Sequence, residues 1–204
     1  MSRGNEPIYK EPTPEETIEW WQWVSSIEEQ NDKNQKHPFL IGGETHQNQN
    51  KNFVCLTGIG RNGGRDNNRR ISISSDKDLL IPLFVASYSS AELPGKSNDE
   101  LLLQAVKDTE RPARLDLSID GKKLQSYFVK AGPFNLYQPN ICIIDPSKIK
   151  PGQYPTMSAG HWCKVSLPKR NEPYEVRFGG TNDIDFGSGP IKFDTDVTYA
   201  VTVL

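Results

Sequence analysis

The final fourteen residues alternate almost without a fault. Ile191, Phe193, Thr195, Val197, Tyr199, Val201 and Val203 share one parity, and Lys192, Asp194, Asp196, Thr198 and Thr202 share the other. Successive side chains of a strand point to opposite faces, so this ribbon has one buried face and one wet face. A sheet with one face in solvent belongs to antiparallel architecture, because purely parallel sheets are covered on both sides. The feature constrains the fold tightly. It names no reaction.

The same two-residue period recurs upstream. Leu115, Leu117 and Ile119 alternate into Asp120-Gly121, a pair suited to a tight hairpin turn because both central positions take positive φ. Tyr174, Val176 and Phe178 alternate as well, and Phe53 to Thr57, Arg70 to Ser74, Leu79 to Ala86, Tyr127 to Val129 and Trp162 to Leu167 read as further strands. Pro82 cannot donate to a ladder, so it predicts a bulge or an edge position, where it would guard against uncontrolled pairing. Residues 58 to 70 read as a hairpin connection, and residues 131 to 160, with five prolines, as a long irregular excursion. About eight strands in this pattern predict a mainly β fold, an antiparallel two-layer sandwich of jelly-roll type.

Two short helices accompany the strands. Thr13 caps free amides, Pro14 suits the first helical position and Glu16 completes a capping box, with Trp20, Val24 and Ile27 following at helical spacing. Trp20 and Trp21 are expected to wedge this helix onto the sheet, leaving Trp23 partly exposed. Ser97 and Glu100 form a second capping box before a helix over Asp99 to Thr109, with Leu102, Ala105 and Val106 inward. Residues 28 to 52, rich in Asn, Gln and Lys, read as loop.

A chain of 204 residues suits one sandwich domain over 13–204 behind a flexible arm, 1–12. The balance of 24 Lys and Arg against 26 Asp and Glu, with mean hydropathy −0.64, supplies no basic field for nucleic acid or an anionic membrane. Cys55, Cys142 and Cys163 cannot all pair and form no CxxC, which does not look like a disulfide framework. No apolar run reaches the ~18 residues of a spanning helix. The first residues lack the apolar stretch of a secretory signal, so as written the chain fits the cytoplasm; a mature form without its leader would read the same way.

Several segments, taken in order, resemble an uncharacterised family of mostly secreted prokaryotic β-sandwich proteins. They are the helix with Trp20, Trp21 and Trp23, then His37-Pro38, Val54-Cys55-Leu56-Thr57-Gly58 with Gly63-Gly64, and Arg69 to Ile73. Next come Asp76 to Pro82, Asp120-Gly121, Tyr127-Phe128-Val129, Pro133-Phe134, Gly160-His161-Trp162, Arg177 to Gly180 and Asp196 to Tyr199. The likeness spans roughly residues 15 to 204 and implies the sandwich fold, with no activity attached. Two departures stand out. His46 and Ile71 occupy places where that family carries cysteines, so the disulfide the resemblance implies is missing, and so is the leader peptide.

Motifs that carry chemistry are incomplete. Gly58-Ile59-Gly60-Arg61-Asn62-Gly63 matches GxGxxG, but a dinucleotide site needs an apolar helix next, and Gly64 to Arg70 is loop chemistry. Arg61, Arg65, Arg69 and Arg70 in that loop can grip an anion among glycine amides, or serve only as a solvated surface. Asp183 and Asp185 offer hard oxygens to Ca²⁺, and His37, His46 and His161 are candidate ligands of Zn²⁺ or Cu²⁺, though no HExxH fixes their spacing. The cysteines sit in apolar contexts that leave thiols inert. No serine has a nucleophile-elbow context.

This pattern favours a non-catalytic binding or assembly module. Its partner would be a glycan held on Trp23, Tyr137 or Tyr154, a protein chain, or a second copy joined through a sheet edge. The alternative is a metal-dependent hydrolase or oxidoreductase built on His37, His46 and His161.

Overall fold

The computed structural model describes residues 6–27, 37–42, 53–60, 63–139, 149–185 and 190–204, and these described residues form ten strands and two helices. In order they are β1 (Ile8–Lys10), α1 (Pro14–Ser26), β2 (Phe53–Cys55), β3 (Gly64–Ile73), β4 (Asp78–Ser89), α2 (Asn98–Thr109), β5 (Arg114–Ile119), β6 (Lys122–Lys123), β7 (Tyr127–Gln138), β8 (Gly152–Ser166), β9 (Tyr174–Asp185) and β10 (Pro190–Val203). They form two five-stranded sheets. Sheet 1 has the order β1-β8-β4-β2 with β7 also paired to β8, and sheet 2 has the order β3-β10-β9-β5-β6.

The alternating ribbon is β10, set between β9 and β3 in sheet 2. Its Val197, Tyr199 and Val201, with Val176 and Phe178 of β9, are fully buried against Leu79, Ile81, Cys163 and Val165 of sheet 1. Most ladders are antiparallel, as expected. Two are not: β2 runs parallel to β4, and β3 runs parallel to β10. The predicted hairpin is present, with Asp120 at φ +50° and Gly121 at +76° linking β5 to β6.

Both capping boxes form. In α1 the Thr13 hydroxyl accepts from Glu16 N and Glu16 accepts from Thr13 N, and Ser97 with Glu100 repeats the arrangement at α2. Helix α1 lies on the outer face of sheet 1, where Trp20 meets Trp162 edge to face at 5.3 Å and donates its indole N–H to Leu56 O at 2.8 Å. An aromatic of this size buries roughly 150–250 Å², worth about 4–6 kcal/mol before ordering costs. Trp23 is buried too, correcting the expectation of an exposed ring. It reaches the same cluster, with its ring 6.5 Å from that of Trp20.

Other expectations need revision. Residues 64–70 are not a connection: they are the first part of β3, whose inward positions are Asp66 and Arg69. Within the stretch from 131 to 160, residues 131–138 and 152–160 belong to the long β7–β8 pair, with Pro133 at a register shift between Ala131 and Phe134 and Pro155 opposite Asn135, and residues 140–148 lie outside the described residues. Pro82 sits at both predicted features. A bulge separates it from Phe84, and it follows Leu80, whose carbonyl accepts from Leu56 N, on the side where β2 has already ended. Within the expected flexible arm, Ile8–Lys10 pair with Lys164–Ser166 of β8. Helix α2 buries Leu101, Ala105 and Asp108, while Leu102 and Val106 are only half-buried. Its inward face is turned by Asp108, which accepts hydrogen bonds from Tyr88 and Gln104 side chains and, through its carbonyl, from Asn182.

Candidate functional site

The arginine cluster seen in the sequence divides in two. Arg69 points inward from β3 with its side chain 2% exposed. Its Nε donates to Asp66 Oδ2 at 3.0 Å, Nη1 to Thr57 O, Thr57 Oγ1 and Tyr199 Oη, and Nη2 to Leu40 O. Burial alone raises an acid, yet Gly42 N and Arg69 overcome it and hold Asp66 below its ordinary carboxylate range. The Tyr199 hydroxyl donates to Thr57 O and accepts from Thr57 N, while Ile59 N donates to Thr195 Oγ1. These bonds clamp the 37–42 and 56–60 segments onto sheet 2. Arg69 is therefore spent on the fold, contrary to its assignment as a ligand group.

The histidines are likewise committed, and they are apart. His37 is buried beneath α1, with Nε2 3.1 Å from Val24 O and Nδ1 accepting from Phe39 N. His161 follows Gly160 and precedes Trp162 on β8. Consecutive strand residues face opposite ways, so with Trp162 against α1, His161 points to the other face. There its ring contacts Ser126 Oγ and Glu110 O, and burial lowers its basicity. Among the described residues no group of three His, Cys, Asp or Glu side chains is placed to hold a metal ion. Asp183 is exposed; His46, Arg61 and the Asp185 side chain lie outside the described residues. The three-histidine centre is thus not assembled from His37 and His161. Cys55 and Cys163 are buried and outside any disulfide among the described residues, and burial pushes both thiols up, Cys163 to about 12.

The aromatic platform does not converge either. Trp23 is buried, and Tyr137 and Tyr154 lie on opposite faces of the β7–β8 hairpin. Leu136 pairs with Tyr154 and Tyr137 with Gln153, so the two phenols alternate across the sheet. Tyr154 also donates to Lys150 O at 3.0 Å.

What does converge is the outer face of sheet 2, a surface that the sequence marks only as the polar parity of β10. Across β5, β9 and β10, Arg114 bonds Asp116 at 2.8 Å and Asp194 at 2.7 Å, and also Thr181 Oγ1 and Thr195 O. Arg177 takes Asp196 in a two-point contact at 3.0 and 2.6 Å. The Thr181 hydroxyl and Arg114 hold Asp194 below the usual carboxylate range, and Arg177 does the same for Asp196, with Arg65 adding its charge to both. Beyond this lattice the face changes. Arg70, Ser72, Pro173, Ala200 and Thr202 line a groove of about 660 Å³, with Ala200 opposite Arg70 and Thr202 opposite Ser72. Arg70 is exposed, and its guanidinium makes no bond or ion pair among the described residues.

No family model, curated protein or solved structure matches the chain. The resemblance to secreted prokaryotic sandwich proteins therefore rests on short motifs alone. Among the described residues no helix is long and apolar enough to cross a membrane.

Proposed function

We propose that the chain is a non-catalytic binding module that docks a protein partner on the outer face of sheet 2. The carrying observation is the contrast on that face: Arg114 and Arg177 are locked in ion pairs, while Arg70 stands unpaired beside the groove. The free Arg70 guanidinium suits a carboxylate of the partner in a two-point contact, while the ion-paired Arg114 and Arg177 give the face around it a fixed surface that loses little freedom on docking. Sheet 1 offers no equivalent surface in this region, because α1 covers much of its outer face. A glycan fits less well, since sugar platforms need exposed rings on one face and none gather here. The partner would meet Arg70 with an acidic side chain and lay a flat surface over Ala200.

Site-specific photo-crosslinking tests the reading. A benzophenone side chain at position 200, in the full chain exposed to its native extract, is expected to capture one partner. Arg70→Glu should abolish that adduct, and Lys107→Glu, on exposed α2, should not. Capture indifferent to Arg70, or no adduct at position 200, would overturn the reading. Light scattering across concentration identifies the special case in which the partner is a second copy.

A further inference from the structure

Three segments far apart in sequence, residues 6–9, 119–122 and 168–174, meet around a crevice of about 310 Å³. Its wall is held firmly. Arg170 bonds both carboxylate oxygens of Asp120 at 2.6 and 3.0 Å, donates to Glu172 O and Pro173 O, and lies 3.4 Å over the Tyr174 ring. Tyr174 in turn donates to Pro168 O at 2.8 Å, and Asp120 accepts from Glu175 N at 3.0 Å. The Asp120 charge is thereby matched, and Arg170 has little left to offer a ligand.

The remaining polar groups are unmatched, and nearly all are donors. Lys122 and Lys169 line the crevice with no ion pair or hydrogen bond among the described residues. The half-buried Tyr9 hydroxyl has no partner there either, and burial, with neighbouring negative charge including Glu6 and Asp120, pushes its pKa up, so it remains an O–H donor. Against these stands one unpaired acid, Glu6, exposed at the rim. Two ammonium groups and a phenol facing a single stray carboxylate leave an excess of donors that one small anion would satisfy.

We infer that this crevice binds a single carboxylate group, held by Lys122, Lys169 and the Tyr9 hydroxyl. Glu6 sets the charge of the ligand, because a second negative charge would face it. No residue lines both the crevice and the docking groove, which adjoin at Pro173, and the ligand groups Lys122, Lys169 and Tyr9 are distinct from Arg70, so either reading can fail without the other. Its ligand is a small free acid or the acidic side chain of a peptide, which share this chemistry.

Backbone amide NMR of the full chain, titrated with sodium acetate at constant ionic strength, tests the inference. The expected result is saturable shifts confined to residues 6–9, 119–122 and 168–174, with millimolar dissociation constants. Replacing both lysines by glutamine should weaken acetate about fivefold, the scale of two exposed ion pairs; Tyr9→Phe should weaken it less. N-acetylglutamate amide in place of acetate shows whether a peptide side chain is accepted, and tighter binding than acetate assigns the site to a peptide carboxylate. Both lysines are exposed, so an unchanged melting curve separates lost binding from lost fold. Non-saturating shifts, shifts equal to those with chloride, or shifts insensitive to the double variant would sink the site. Inorganic phosphate binding more tightly than acetate would overturn the preference for a single charge.

Discussion

Arg69 donates to the Tyr199 hydroxyl at 3.0 Å, and the same hydroxyl donates to Thr57 O at 2.9 Å. Through that one oxygen, edge strand β3, its neighbour β10 and the 56–60 segment share a buried junction. Arg69→Met leaves Asp66 as an uncompensated buried charge, together with a Leu40 carbonyl that has lost its donor, while Thr57 O keeps the Tyr199 hydroxyl. The expected loss is about 3–5 kcal/mol in urea unfolding at pH 7. Tyr199→Phe removes only the hydroxyl and should cost about 1–3 kcal/mol. A cost for Arg69→Met no larger than for Tyr199→Phe would refute this account of the junction.

The junction also sets part of the acid response. Asp66 is held below its unfolded value, so the stability it contributes is present above roughly pH 4, near the ordinary aspartate value, and is lost as pH falls through the folded value. Asp194, Asp196 and Asp120 are depressed too and act in the same direction. Urea midpoints should therefore fall between pH 5 and pH 3, and fall less in Arg69→Met, where Asp66 has lost its partner. Equal slopes in the two proteins would contradict it.

The same residues explain what could be read in the chain and what could not. The parity of β10, the Thr13 and Ser97 caps and the Asp120-Gly121 turn are local signals, and each survives in the structure. The first part of strand β3 hid because its inward residues are Asp66 and Arg69, so a search for apolar alternation finds only Ile71 and Ile73. The β7–β8 pair hid for another reason. Pro133 and Pro155 look like breakers until partners are known, and a sequence does not say which way a missing N–H would have pointed. The charged lattice of sheet 2 needs β5, β9 and β10 side by side, a long-range arrangement with no local trace.

The tryptophan pair permits a sharper comparison. Trp20 and Trp21 are both buried, but the Trp20 indole N–H is bonded to Leu56 O while that of Trp21 has no partner among the described residues. Phenylalanine at 20 strands a buried carbonyl, whereas phenylalanine at 21 removes an unmet donor. Trp20→Phe should therefore cost more than Trp21→Phe, by about 1 kcal/mol or more. Thermal or urea unfolding of the two variants checks the order, and a reversed order would show that ring volume outweighs the hydrogen bond.

His161 offers a titration in a range where few groups respond. Burial lowers its pKa, against opposing contributions from the Glu110 and Thr109 main chain and the Glu110 charge, while Ser126 and Phe128 complete its surroundings. The folded protein thus takes up this proton at lower pH than the unfolded chain. Its contribution to stability is complete above about pH 6.5 and is lost as pH falls through the depressed folded value. The imidazole resonances of His161 should titrate with a midpoint below 6.5. A midpoint at or above that value would mean that the Glu110 contacts outweigh burial.

The buried thiols supply the remaining check on the scaffold itself. Cys55 on β2 and Cys163 on β8 flank β4 in sheet 1 and face different clusters, Cys55 toward the tryptophans and Cys163 toward sheet 2. Burial keeps both protonated at neutral pH, and a protonated, covered sulfur neither attacks nor is attacked. Reaction with a disulfide reagent at pH 8 must then wait for the sandwich to open. Labelling at these two positions, followed by peptide mapping, should be at least ~10³-fold slower than in denaturant, the scale set by ordinary domain stability. Raising urea should accelerate both sites together, because each is sealed by a layer packed on sheet 1. Prompt labelling of Cys163 in the native protein would mean that the two sheets part locally, and the rigid framework on which both proposed sites depend would be lost with them.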